Sequence, residues 1–591
     1  MDKDIRKLYD SLKTNREQYT ALWEKISRIS GLTVNTDYDK NNQGNKSEAL
    51  DYFLDDPTAM ISVNQAGDYT SGIMWGTGQD ALELIPSRYA LEHADISSLE
   101  DYYSFATDQT LYHMNHESAG LVTSIKPYMY DQYSFGTSGI GCFKNQAFVN
   151  GIDDNALSFM NYGVDNLLID EGKSGLIEYE FIIYQWNANR IVGDFAMKDG
   201  TIDDGLLSGL PRCIQRAFED KDIEKEFKVV FGVYPRQDFD PRLKGKRGAK
   251  FQGIWFLDGE EGDIFFEEDF AENPIAVARQ IKIRGETYGR SSGTMLQSSI
   301  NSVNFMVGEV IEILEKMGKP ALGIWNNAIV GDSVLDTGSD TLNVFNPSYA
   351  TGSSPTFPLY EVGDPTAMIT FLIPYLNEKI VTGFKVDSLL DFSSAKEMTA
   401  TESLQRYAIR GKSLSGILMQ QKVELLMPII KRSVSVLQAV GELGVNPVIE
   451  RDRAQRVKLL RPERIIPDAV IKTIEAGKPW FEIKLNNELE KLMRTERIQS
   501  LVQIIQSVTA VAALYPQIIE GVNWFKLIKD VNELLDPNNQ VVISEREFKA
   551  KIEQQANQAR EAMMMQAGNM GADTQQKLAD ANKKAKEAQN V

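Results

Sequence analysis

Tyr133-Ser134-Phe135-Gly136-Thr137-Ser138-Gly139-Ile140-Gly141 is where the sequence changes character. Before it, apolar residues recur at helical spacing; after it, β-formers alternate or cluster between turn signals. Its glycines invite a dinucleotide reading. That fingerprint, however, needs a strand first and a helix second, so that pyrophosphate meets a helix N-terminus. Here the helix comes first. The stretch therefore reads as a helix-to-strand turn that separates a helical N-terminal part from a sheet-forming part.

On the N-terminal side, Tyr19, Trp23, Ile26 and Ile29 form one apolar helical stripe. A second helix is expected from Ser47 to Trp75, closed by Gly76-Thr77-Gly78. A third begins near Ser97, with Ser98 and Asp101 in the pattern of a capping box. On the other side, strands are expected at Ile140 to Phe148, Leu167 to Ile169, Leu176 to Trp186, Phe227 to Tyr234, Phe251 to Leu257 and Ile264 to Phe266. They define a small mixed or antiparallel sheet domain over about 137–288, with helices near Asn189 to Ala196 and Pro211 to Phe218.

From Gly293 the helical period returns. Met295 to Met317 reads as a helix stopped by Gly318-Lys319-Pro320. A Gly-, Ser-, Asn- and Pro-rich insert follows, with strand candidates at Leu322 to Trp325 and Thr341 to Phe345. Gly363-Asp364-Pro365 supplies an N-cap and an N1 proline for a helix to Thr382, kinked by Pro374. Residues 384–398 read as a loop. Thr399-Ala400-Thr401-Glu402 is a capping box opening a long helix to about Leu443, bent at Pro428. A strand from Phe481 to Leu485, a helix over 487–515 and short helices around Trp524 to Leu535 come next. Ile552 to Met565 can be helical, and the tail is expected to fray after Gly568. The fold class is α+β and predominantly helical.

Composition narrows the chemistry. The 591 residues carry 63 Lys+Arg against 83 Asp+Glu, a formal charge of −20. A protein that wraps nucleic acid needs clustered cations, so this balance excludes a whole-surface binder but not a DNA that passes through. Cys142 and Cys213 cannot staple a fold of this size and point to a reducing, cytosolic setting. The N-terminus is charged from its second residue, unlike a signal peptide, and no apolar run of about 18 residues occurs. The chain is expected to be soluble and intracellular when made, without a membrane partner.

Gly411-Lys412-Ser413 and Gly172-Lys173-Ser174 imitate a phosphate loop. Its spacing rule requires glycine where Arg406 and Leu167 stand, so neither qualifies. His93, His113 and His116 are the only histidines; His113 and His116 read as an incidental surface pair rather than as zinc ligands. Arg242, Lys244, Lys246, Arg247 and Lys250 precede an acidic run of Asp258, Glu260, Glu261, Asp263, Glu267, Glu268 and Asp269. The two runs form either a solvated hairpin or an ion-pair seam between subunits, carried by Arg242, Lys244, Arg247, Glu260 and Glu267. No motif calls for a catalytic residue, a metal or another cofactor.

Taken in order, several segments resemble the portal (head-to-tail connector) proteins of short-tailed bacteriophages. Arg16-x-x-Tyr19-x-x-x-Trp23-x-x-Ile26 is similar to that family's N-terminal helix. Tyr133-x-Phe135-Gly136-Thr137 resembles its "Y.fGtg" junction, and Arg279 through Glu286-Thr287-Tyr288-Gly289-Arg290 its "R…E.YGRGP". Met398-Thr399-Ala400-Thr401-Glu402 matches its "MTATE", and Pro428 to Gly441 resembles the close of the same helix. Arg290-Ser291-Ser292-Gly293 departs from "GRGP", and Leu485-Asn486-Asn487-Glu488-Leu489 stands where "SPLA" is usual. The likeness spans roughly residues 10–550.

The resemblance implies a homo-oligomeric, dodecameric ring at one capsid vertex, with a channel for double-stranded DNA. Residues 1–136 would be the helical part of the wing and 137–290 its β-rich part. Residues 291–317 and 363–383 would be the two stem helices, and 318–362 the clip between them. The channel loop would be 384–398, the long spine helix and its return 399–485, and the crown and tail 486–591. Lys385, Asp387, Leu389, Leu390, Phe392 and Lys396 would line the channel. Expected partners are the terminase packaging motor, the tail adaptor, the major capsid and scaffolding proteins, and internal ejection proteins. The chain would work in the virion after assembly in the host cytoplasm. Another tail-adaptor or internal virion protein, and an intracellular acid/base hydrolase, remain as alternatives.

Overall fold

The computed structural model describes residues 2–30, 56–76, 81–94, 96–198, 201–222, 224–240, 243, 245–259, 264–319, 322–324, 356–359, 363–386, 416–444 and 465–485. The chain forms two compact units, Met1–Leu492 and Met493–Val591, and every described residue belongs to the first.

The helix Leu121–Phe135 ends at Gly136, whose φ of +85° lies in the left-handed region and whose N–H returns to Asp131 O and Gln132 O. This is the glycine stop expected of a helix C-terminus. The strand Thr137–Lys144 starts at the next residue. Gly136 also meets another segment: a Cβ there would lie 2.6 Å from both Gly289 O and Arg290 C. Gly136→Ala is expected to destabilise the fold by about 3 kcal/mol, from left-handed strain plus backbone overlap. Urea midpoints of the two proteins measure it.

Among its described residues the sheet region holds two antiparallel sheets and a short ribbon, Met197–Lys198 with Thr201–Ile202. In the smaller, Thr137–Lys144 lies between Ile275–Arg279 and Leu157–Tyr162. In the larger, the order is Ile264–Phe270, Phe251–Leu257, Glu226–Pro235, Ile177–Asn187, Leu167–Glu171. Both faces of the larger sheet are covered, which is why its strands read as nearly continuous apolar runs. Ile182, Val229, Phe231, Val233 and Trp255 share a core with Trp23 and Ile26 and with the helices Ala188–Phe195 and Arg212–Glu219. The alternate residues Phe181, Ile183, Val230, Ile254 and Phe256 pack on Tyr9 and Leu12. The helix Asp2–Ser30 therefore contributes to the cores on both faces.

Several expectations are corrected. The strand expected to reach Phe148 stops at Lys144, because the Asn145 side chain accepts from Ala147 N and starts the short helix Gln146–Val149. The helix expected from Ser47 is described from Thr58, with Asp56 Oδ1 accepting from Thr58 N, and runs to Met74; residues 47–55 lie outside the described residues. Ser97 and Ser98 are inside the helix Ile96–Asn115 rather than at its cap. Leu157–Tyr162, Ile275–Arg279 and Leu82–Pro86 are strands that the sequence pattern did not single out. Leu82–Pro86 pairs antiparallel with Phe481–Leu485.

Pro374 and Pro428 are each preceded by a π turn, Met368–Leu372 and Lys422–Leu426. A proline cannot donate to the carbonyl four residues back and crowds it, and the wider turn relieves that crowding. The long helix is described from 416; its last stretch, Met427–Val440, ends on Gly441 with φ +94°. Its expected start at 399, the strand candidate at 341–345 and the helices expected beyond 487 lie outside the described residues.

Candidate functional site

The helix Ser292–Gly318, expected to be the first stem helix, begins where two of the resembling stretches meet. Ser291 caps the helix Ser292–Gly318, accepting from Thr294 N at 2.8 Å while its hydroxyl donates to Ser134 O at 2.6 Å. Gly289 N donates to Thr137 Oγ1, and Gln280 N to Gly136 O. The base of the helix is thus tied to the helix-to-strand junction by hydrogen bonds.

Further along, the helix sheds its cover. Ile300, Val303 and Val310 are buried, but no side chain from 311 to 318 is. Phe305 is 69% exposed, and Met295, Ile311, Leu314 and Met317 are also exposed. The segment 366–383 packs beside it: Gly383 lies against Leu296, and Asp364 caps the start by accepting from Thr366 N. That segment leaves Met368, Ile369, Leu372 and Tyr375 exposed, with Phe371 at 73%. Leu322–Ile324 and Thr356–Pro358 pair antiparallel. The two helical segments pack side by side as a stalk that leaves these large apolar side chains exposed.

Of the expected channel residues, Lys385 is placed. It follows the segment 366–383 with φ +61°, half-buried between the buried Phe384 and Val386, and burial lowers its pKa. It lies in the turn that follows the helix, between two buried side chains. Asp387, Leu389, Leu390, Phe392 and Lys396 lie outside the described residues. Of the expected interface charges, Glu267 pairs with Lys246 at 3.5 Å and Arg247 with Asp238 at 3.3 Å, all within the subunit. Arg242, Lys244 and Glu260 lie outside the described residues.

Gly172-Lys173-Ser174 proves to be the turn between two antiparallel strands, with Gly172 N donating to Leu176 O. The surface-pair reading of the histidines is corrected. His113 is buried, accepts from Ala156 N at 3.3 Å and sits beside Asn155 Oδ1, whereas His116 caps the turn at Glu117–Ala119. Among the described residues no three His, Cys, Asp or Glu side chains form a group able to hold a metal, and no helix is long and apolar enough to cross a membrane.

Two charged groups near the junction stand out. Asp131, five residues before Gly136, is partly buried, and desolvation pushes its carboxyl up to about 7 against hydrogen bonds from Asn161 and Ser138 that act the other way. Arg279 is fully buried and paired with Glu424 and Glu171. Sequence reasoning marked Arg279 but missed both partners. It also missed Phe305 and Phe371; the available signal was an excess of apolar residues beyond the single stripe that one helix needs.

The sequence profile of the family described as bacteriophage head to tail connecting protein matches residues 2–542, and the chain belongs to that family. A probable portal protein of Bordetella phage BPP-1 is 21% identical over 383 residues, covering 63% of this chain; the chain spans 62% of that relative. Among solved structures, the virion of a native gene transfer agent particle gives 12% identity and a TM-score of 0.29, covering 76% of this chain and 89% of that one. The neck of the native particle, computed with C12 symmetry, gives 12% and 0.30, covering 76% and 85%.

Proposed function

We propose that this chain is the subunit of a portal ring through which double-stranded DNA enters and leaves a phage head. The observation that carries the reading is the apolar stalk. Phe305, Phe371, Ile369, Leu314 and Met317 are a surface that needs a partner. Copies related by a closed rotation give every stalk two neighbours and leave no apolar face uncovered, which an open chain of copies does not achieve.

On this reading the stalks line the channel wall, and the insert at 318–362 forms the rim that engages the packaging motor and later the tail adaptor. The channel loop expected at 384–398 would face the DNA from a start anchored at Phe384 and Val386, and the cluster from Arg242 to Glu267 would lie at the subunit boundary. The ring is expected to be dodecameric and to have no catalytic residue of its own. An overall charge of −20 suits a conduit, since each neutralised phosphate would add affinity that moving DNA must break. Negative-stain microscopy of the purified protein tests this: rings with a central hole are expected. A monomer at micromolar concentration would overturn the reading.

A further inference from the structure

The long helix is held at one register by two separate devices. The first is local. Pro428 has no N–H for the carbonyl of Glu424, and the π turn Lys422–Leu426 accommodates it. The turn Met368–Leu372 before Pro374 is built the same way with every side chain exposed, so a proline is enough to sustain such a turn.

The second device is tertiary. Arg279 Nη2 donates to Glu424 Oε1 at 2.5 Å, and the Arg279 backbone N–H donates to Glu424 Oε2 at 2.9 Å. Arg279 Nη1 pairs with Glu171, and its Nη2 also donates to Gly175 O at 3.1 Å, so the hairpin turn closes over the same guanidinium. Gln421, at the edge of the π turn, is buried too. It accepts from the Tyr128 hydroxyl, and its Nε2 reaches Gln132 Oε1 and Arg279 O at 3.4 Å.

A π turn holds one residue more than an α turn. The stretch after it is fixed, because Arg432 Nε donates to Cys142 O and Ser433 Oγ lies against Cys142 Sγ. Rewinding the turn to α would move each residue of 416–421 into the place of the residue before it, about 100° round and 1.5 Å along the axis. Met419, now 42% exposed, would take the place of Leu418, and Leu418 that of Ile417; both places are buried and apolar. Ile417 would move to the exposed place of Gly416. Apolar packing therefore tolerates either register. The cost of rewinding is polar: Lys422 would replace Gln421, and Glu424 would turn away from Arg279.

We infer that the 416–421 segment has a second packed register one residue away, and that Pro428 and the Arg279–Glu424 pair each suffice to exclude it. Either lock alone keeps Ile417 against the core, so this end of the helix stays aimed when the other is disturbed.

Thiol labelling of the full chain tests it. Cys213 is replaced by Ser, Cys142 is buried, and a single cysteine is placed at Ile417 or Met419. With both locks present, N-ethylmaleimide labels Met419→Cys quickly and Ile417→Cys slowly. Pro428→Ala alone and Glu424→Gln alone keep that order. In the double variant the order inverts: labelling at 417 rises at least tenfold and labelling at 419 falls at least tenfold. A rise at both positions means loosening without a second register and overturns the inference. So does an unchanged pattern in the double variant, or inversion in either single one. If the double variant does not fold, Arg279→Met, Glu424→Leu and Pro428→Ala together, which leave no buried charge of the pair unmatched, give the same readout.

Discussion

Phe305→Ser combined with Phe371→Ser gives a subunit that folds as the parent does but no longer forms rings. The two phenyl rings are 69% and 73% exposed in the single chain, so removing them opens no cavity and costs the fold little. Covering them in an assembly is worth roughly 1.5–3 kcal/mol each. Losing both weakens each subunit contact by on the order of 3–6 kcal/mol, a factor of about 10² to 10⁴. Sedimentation velocity at low micromolar concentration is expected to show a ring for the parent and a monomer for the variant, with matching far-ultraviolet circular dichroism. Rings of unchanged stability from the variant would show that the stalk is not the contact between copies.

The second large effect concerns Asp131. Burial raises its folded-state pKa to about 7 from 3.8, and the neighbouring Asp165 is raised in the same direction. A carboxyl with a raised folded pKa holds its proton longer in the native state than in the unfolded one. Stability is therefore full below about pH 4 and falls as pH climbs toward 7, by on the order of 4 kcal/mol for this group. Asp131→Asn removes that slope while its side-chain carbonyl can still accept from Asn161 and Ser138. Urea midpoints from pH 4 to 8 are expected to coincide for parent and variant at the acid end, to draw apart between pH 4 and 7 and to stay apart above it, the variant being more stable. Parallel curves would mean that Asp131 ionises without cost in the folded protein.

Element order was legible because its signals are local. Gly136, Gly318, Gly441 and the Asp364-Pro365 pair act within one turn of chain, and each lies at the boundary expected of it. What failed to show depends on partners far away. Leu82–Pro86 is short and ends in proline, and only its pairing with Phe481–Leu485 makes it a strand. His113 reads as a surface residue until Asn155 and Ala156 enclose it. Arg279 stands in a recognisable motif, yet Glu171 and Glu424 are 108 and 145 residues away.

The site follows the same division. The helices Ser292–Gly318 and Ile373–Gly383 were legible from the caps and the glycine stop. The exposure of Phe305 was not, because a phenylalanine looks the same in sequence whether it faces a core, a neighbour or water. The charged runs Arg242 to Lys250 and Asp258 to Asp269 are a different case. Their composition fits a solvated hairpin and a seam between copies alike, and within one chain Lys246 pairs with Glu267 and Arg247 with Asp238.

The pairing of Leu82–Pro86 with Phe481–Leu485 also bears on how the molecule is made. Ser87 Oγ donates to Pro479 O across 392 residues, and the Tyr103 hydroxyl donates to Trp480 O. While the chain is being synthesised, the edge at Leu82–Pro86 stays open until residue 485 has emerged, long after the intervening sheets can close. A nascent or truncated chain therefore presents an unfinished edge, and only a chain translated past this point has a completed first unit.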